Sequence, residues 1–167
     1  RKNIIIVMKK NNDEHIDDML DRYKGAHPQT NQASPDDLQA IKFTSGSTGM
    51  PKGVMQSYRL FNSCIASMLV SFEFDAADRH LLVAPMTHGA NTLIMPIFAV
   101  GGTQLFTHDS RPAGIIEAIQ TLRATTVYVP PTLLYMMLAE NRLDQADCSS
   151  LRHLIIGGAA IRPDMVM

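Results

Sequence analysis

The chain has 167 residues, 46% of them hydrophobic and 19% charged, with a formal net charge of −1. That length can bury a core as one domain. The balance offers no positive surplus for nucleic acid or an anionic membrane, and no run approaches the ~18 apolar residues of a membrane span. Cys64 and Cys148 are too few and too far apart for a disulfide framework or a zinc site, and they fit a reducing, cytoplasmic compartment.

Taken in order, the chain opens at Arg1 and enters an apolar run, Ile4-Ile5-Ile6-Val7-Met8, within a predicted strand over 3–8. Asn12 or Asp13 is placed to cap a helix over 14–24, where Ile16, Met19, Leu20 and Tyr23 recur at helical spacing. Residues 25–37 read as an internal linker that closes in the Pro35-Asp36-Asp37 turn. A strand over 38–43 then runs into a loop, and a second strand, 53–57, leaves it. A helix is predicted over 58–72, with Phe61, Cys64 or Ile65, Met68 and Phe72 on one stripe. A short strand follows at 81–84, then a helix at 91–99 made doubtful by Pro96, which costs ~3 kcal/mol in a helix interior.

Gly101-Gly102 turns into a strand at 103–107, and Asp109 or Ser110 stands where a cap would open a helix to about 123, with Ile115, Ile119 and Leu122 buried. The β-branched run 125–129 reads as a strand, Pro130-Pro131-Thr132 opens a helix through 139, and a last strand spans 151–156. Apolar strands alternating with helices predict an α/β fold with a largely parallel sheet flanked by helices. Ligands in such sheets gather at the carboxyl ends of strands. Three stretches follow strands in this way: 85–91, 129–132 and 157–160. Both chain ends lie in or near predicted elements rather than in polar, flexible sequence, so the 167 residues read as one partial domain of a longer protein.

The densest chemistry lies between the second and third strands. Phe43-Thr44-Ser45-Gly46-Ser47-Thr48-Gly49-Met50-Pro51-Lys52-Gly53-Val54 carries four hydroxyls, three glycines and one lysine. Glycine-rich backbone lets N–H groups converge on an anion, hydroxyls add donors, and lysine supplies a mobile point charge. A polyphosphate is the ligand this set suits. It is not a Walker A loop: Pro51, which has no N–H, stands where that motif has its second glycine, and Gly53 rather than a hydroxyl follows the lysine.

Thr-Ser-Gly-Ser-Thr-Gly-x-Pro-Lys-Gly over 44–53 resembles the phosphate-binding signature of the adenylate-forming (AMP-binding) superfamily, which includes acyl- and aryl-CoA synthetases, peptide-synthetase adenylation domains and luciferases. The resemblance implies the large N-terminal domain of an acyl-CoA synthetase-like fold, with 1–167 as a fragment of it. It also implies a ligase that activates a carboxylic acid, a fatty or aryl acid, with ATP and Mg2+ and transfers it to coenzyme A. A peptide-synthetase adenylation domain or a fatty-acyl-AMP ligase is the alternative. By this resemblance Thr44, Ser45, Gly46, Ser47, Thr48, Gly49, Lys52 and Gly53 hold the phosphates, with Lys52 and Thr48 acting on the reaction itself.

Ala84-Pro85-Met86-Thr87-His88-Gly89-Ala90-Asn91 resembles the family's second core motif and makes His88 a wall of the acid pocket. Gly157-Gly158-Ala159-Ala160 matches the position where backbone closes on the adenine and the acyl group, Gly157 and Gly158 facing the substrate; taken alone, Gly-Gly after a strand is also an ordinary turn. His27, His80, His108 and His153 show no metal spacing and read as structural, and no metal ligand is assigned. Two departures stand out. Tyr58 replaces a histidine common in the family, and the family's Tyr-Gly-x-Thr-Glu and Thr-Gly-Asp segments and its catalytic lysine have no counterpart here. The Mg2+ ligands are therefore expected mostly outside the chain. By itself the chain is expected to be inactive and open to homodimer formation through unpaired edges and apolar faces.

Overall fold

The computed structural model describes residues 16–27, 33–44, 50–86, 89 and 91–161, in two units, Arg1–Ser34 and Pro35–Met167. In the first, helix α1 spans Ile16–Arg22 and ends in a turn where Ala26 N–H donates to the Tyr23 carbonyl at 2.9 Å. Leu20 and Tyr23 are exposed on it. The expected strand at 3–8 and the caps Asn12 and Asp13 lie outside the described residues, as does much of the linker.

The second unit begins with a β-hairpin. Strands β1 (Leu38–Thr44) and β2 (Lys52–Ser57) pair antiparallel, apart from the parallel sheet that follows. Its base is tied to helix α2 (Tyr58–Phe72): Tyr58 N–H donates to the Asp37 carbonyl and Arg59 N–H to that of Pro35. The Arg59 guanidinium grips Asp36 with two bonds, 2.8 and 3.1 Å, and holds that carboxyl below its ordinary range. The acidic turn is thus an anchor rather than merely a solvated bend. Ser57 caps α2, its Oγ accepting from Leu60 N–H. Of the two candidates for the inward stripe, Ile65 is half-buried and Cys64 is exposed.

The four-stranded sheet is fully parallel, in order β4-β3-β5-β6, from β3 (Arg79–Leu82), β4 (Thr103–Phe106), β5 (Thr126–Val129) and β6 (His153–Ile156). The period of two in each strand divides its side chains between two apolar layers. Leu81, Val127 and Val129 face helices α4 (Pro112–Thr121) and α5 (Pro131–Leu138), joining Ile115, Ile119, Leu134 and Met137. Tyr128 and Ile155 face the other layer, where Phe74 packs with Leu93 and Ile97 of α3 (Asn91–Ala99) and with Met68, Leu69 and Phe72 of α2. Each side chain buried as fully as Leu81 or Ile115 stabilises the fold by about 1.5–3 kcal/mol.

At the amino ends of these strands Asp78, wholly buried, accepts from Asp75 N–H (2.9 Å), Thr125 Oγ1 (2.7 Å) and Arg152 Nη1 (3.3 Å), tying the leads into β3, β5 and β6 together. His80 and His153 lie within strands rather than beside them. The His153 ring meets the edges of Phe72 and Phe74.

Two expectations are corrected, and the helix expected at 91–99 is borne out. Strands β3 and β6 sit two residues away from the predicted starts, at Arg79 and His153, because backbone pairing begins or ends on polar residues that an apolar run does not mark. Neither Asp109 nor Ser110 caps α4, whose N-cap is Arg111 with no side-chain cap, followed by Pro112. The Asp109 carboxylate is engaged instead by Arg111, at 3.0 Å from its backbone N–H and 2.7 Å from Nη2, which pulls it down to about 2. Helix α3 continues through Pro96. The proline is buried on the apolar face, and the carbonyl it leaves without a helical donor belongs to the exposed Thr92.

Candidate functional site

At the open end of the hairpin, Thr44 pairs with Lys52 across the ladder, and Thr44 Oγ1 leans on the Lys52 carbonyl at 3.4 Å. The ladder therefore brings the two ends of the glycine-rich loop together and puts Lys52 at its exit. Gly53 has a packing reason to lack a side chain, since a Cβ there would stand 2.8 Å from Ile41 Cγ2 and 3.5 Å from the Phe43 ring. Ser45, Gly46, Ser47, Thr48 and Gly49 lie outside the described residues, as does His88.

The second part of the site follows from strand order. From β3 the chain crosses to β4 on one side, through α3, and then to β5 and β6 on the other, through α4 and α5. The direction of winding therefore reverses between β3 and β5, and the connections leave on opposite faces of the sheet. A crevice opens at the carboxyl ends of strands at such a reversal. The stretches after β3, β5 and β6 consequently share one rim, as their position after strands suggested.

Tyr128, the third residue of β5, stands in that rim, and sequence reasoning gave it no role beyond its strand. Its ring fills the space that two glycines leave open. A Cβ on Gly89 would run into the ring, and one on Gly157 would lie 2.8 Å from the hydroxyl and 3.1 Å from Cε2. Tyr128 thus brings the segment after β3 against the segment after β6. The signal available in sequence was a large amphipathic ring one residue before a strand end, with glycine-bearing turns after two neighbouring strands. Gly158 turns the chain at φ +92°, and Gly158, Ala159 and Ala160 are exposed beyond it. Lys52 and Thr44 lie on the hairpin and Gly157 to Ala160 beyond the parallel sheet. Helix α2 is packed against both, directly following β2 and resting on the α3 layer.

Among the described residues no three His, Cys, Asp or Glu side chains converge on a metal position, and no helix is long and apolar enough to cross a membrane. Cys64 and Cys148 are free thiols.

Comparison with known proteins decides the family. Residues 2–167 match the AMP-binding enzyme family. The chain belongs to it. Feruloyl-CoA synthase from an Amycolatopsis species is 33% identical over 132 residues, 78% of this chain and 27% of that protein, so the chain spans about a quarter of that relative's length. Amide bond synthetase McbA from Marinactinospora thermotolerans superposes with a TM-score of 0.84 at 26% identity, over 98% of this chain and 32% of that one. ATP-bound MatB from Rhodopseudomonas palustris gives 0.78 at 27% identity, over 89% and 30%. The α/β organisation, with its parallel sheet, antiparallel hairpin and flanking helices, is that of the family's N-terminal domain.

Proposed function

We propose that this AMP-binding chain supplies the phosphate-holding part of an adenylate-forming, acid-activating ligase of the acyl-CoA synthetase type. A carboxylate oxygen attacks the α-phosphorus of ATP, the bond from that phosphorus to the oxygen bridging it to the β-phosphate breaks, and pyrophosphate leaves while the acyl-adenylate stays bound. The thiol of coenzyme A then displaces AMP from the acyl carbon. The observation that carries this reading is the ladder pairing of Thr44 with Lys52, which presents a lysine at the mouth of a hydroxyl- and glycine-rich loop inside a chain of this family.

In this reading Lys52, the loop amides and the hydroxyls of Thr44, Ser45, Ser47 and Thr48 neutralise the β- and γ-phosphates as charge moves onto pyrophosphate. The crevice at Tyr128 receives the acid, with His88 as a wall and Gly157 to Ala160 closing on adenine and acyl group. The donors described suit phosphate oxygens. Feruloyl-CoA synthase, as a relative, favours an aryl acid and coenzyme A; McbA, an amide synthetase, keeps an amine acceptor as the second reading.

ATP–pyrophosphate exchange with a panel of fatty, aryl and amino acids on the full-length gene product tests the proposal. Acid-dependent exchange followed by coenzyme A-dependent thioester formation supports it. Silence with every acid refutes it, and exchange without thioester formation moves the acceptor to the second reading.

A further inference from the structure

Helix α3 has a weakness built into it. Pro96 is its sixth residue and donates no hydrogen bond, so the helix cannot hold its middle by its own ladder. Leu93 and Ile97 bury it against the sheet, yet apolar burial is non-directional and does not fix where along the sheet a helix comes to rest. A directional tie is present. Gln104, on β4, donates from Nε2 to the Ile94 carbonyl of α3 at 3.2 Å, and its Oε1 meets His80 Nδ1, on β3, at 2.7 Å.

The three groups determine one another. A backbone carbonyl only accepts, so the Gln104 NH2 must face Ile94 and its oxygen must face His80. His80 Nδ1 must therefore carry the proton, which leaves Nε2 as an acceptor. That atom is buried without a partner among the described residues, in a side chain that is 0% exposed. An unpaired lone pair in an apolar layer is a standing cost that leucine or valine would avoid. Packing alone does not explain an imidazole here; holding the Gln104 amide does.

We infer that His80 and Gln104 form a positioning pair, resting on the acid-activating function proposed above. By gripping α3 two residues before its proline, the pair sets the height of the helix's first turn and of Gly89, whose carbonyl accepts from Thr92 N–H at 3.0 Å, hence the dimensions of the acid crevice beside Tyr128. Neither side chain touches substrate. They act on the acid through α3 and leave the hairpin that serves the phosphates untouched.

The test uses the full-length gene product with Gln104→Met, close in size and without hydrogen bonds, and His80→Leu, which also removes the orphaned nitrogen. Hydrogen exchange in peptides covering 91–99 is expected to speed by about tenfold in both variants, with peptides of α4 unchanged. In pyrophosphate exchange the KM for the acid is expected to rise by about tenfold while that for ATP stays within about twofold. The split between acid and ATP KM is the readout that a purely structural role does not move. Unchanged α3 protection in both variants, or acid and ATP KM moving together, overturns the inference. Should the parent protein exchange pyrophosphate with no acid, the ligase reading falls, and hydrogen exchange alone decides whether the pair holds α3.

Discussion

Gly157→Ala gives the most decisive account of the rim, because its sign depends on one neighbour. Gly157 is not in the left-handed region, so alanine adopts its backbone without strain and the whole cost is steric. The new methyl would lie 2.8 Å from the Tyr128 hydroxyl, 3.1 Å from Cε2 and 3.3 Å from Cζ, all closer than ordinary van der Waals contact. Overpacking of this kind costs about 1–3 kcal/mol. Against it stands the loss of glycine's freedom in the unfolded chain, which stabilises by about 0.4–1 kcal/mol. The net destabilisation is about 1–2 kcal/mol, a fall in melting temperature of about 2–8 °C for a domain of this size. With Tyr128→Leu in place the obstructing ring is gone, and the same substitution should become neutral or stabilising by about 0.5 kcal/mol. Calorimetric melting of the parent, both single variants and the double variant closes the cycle, and a coupling of at least ~1 kcal/mol is expected. Equal effects of Gly157→Ala in the two backgrounds would refute the claim that Tyr128 is what the glycine accommodates.

Lys52→Ala should lower acid-dependent pyrophosphate exchange by at least ~10²-fold, as for loss of a transition-state charge partner, and near-normal turnover would remove Lys52 from the proposed role. Burial pushes the His80 imidazole below its ordinary range, with the Gln104 bond opposing. The unfolded chain therefore takes up the proton first, so stability is full above about pH 6.5 and falls as pH drops through the window below it; melting temperatures over that range should show the decline, and His80→Leu should flatten it. Asp78→Ala strips the partners from Thr125 and Arg152 at the amino ends of β3, β5 and β6 and should cost about 2–4 kcal/mol by melting, whereas Asp36→Ala, which removes an exposed pair with Arg59, should leave the melting temperature nearly unchanged.

Much of the architecture was legible because it is written in local patterns. The stripe of Phe61, Cys64 or Ile65, Met68 and Phe72 marked α2 over about 58–72, the span it occupies, with Ser57 capping its start. The run from Thr126 to Val129 marked a strand by its β-branched composition. Where polar side chains took part, local signals misled. Asp109 has the composition of a cap and is held by Arg111 instead.

The hairpin that flanks the glycine-rich loop was readable for the same reason. Its chemistry lies in consecutive residues, and the backbone needs no distant partner to bring Thr44 to Lys52 across a hairpin. The crevice was legible only in part: the sequence marked the stretches that follow strands, not which of those strands are neighbours. It depends on β5 pairing with β3 rather than with β4, a choice made by which faces α3 and α4 cover, and so by burial summed over the whole sheet. Only that pairing sets Tyr128 between Gly89 and Gly157, 68 positions apart in the chain, while the register of β3 on β4 sets His80 beside Gln104. Sequence alone thus determined the elements and the glycine-rich signature of the family, since hydrophobic period and turn residues act over a few positions. Tertiary structure alone decided the packing of Tyr128 at the rim and the hydrogen bond from Gln104 to α3, because steric fit and buried hydrogen bonds exist only once distant strands are packed together.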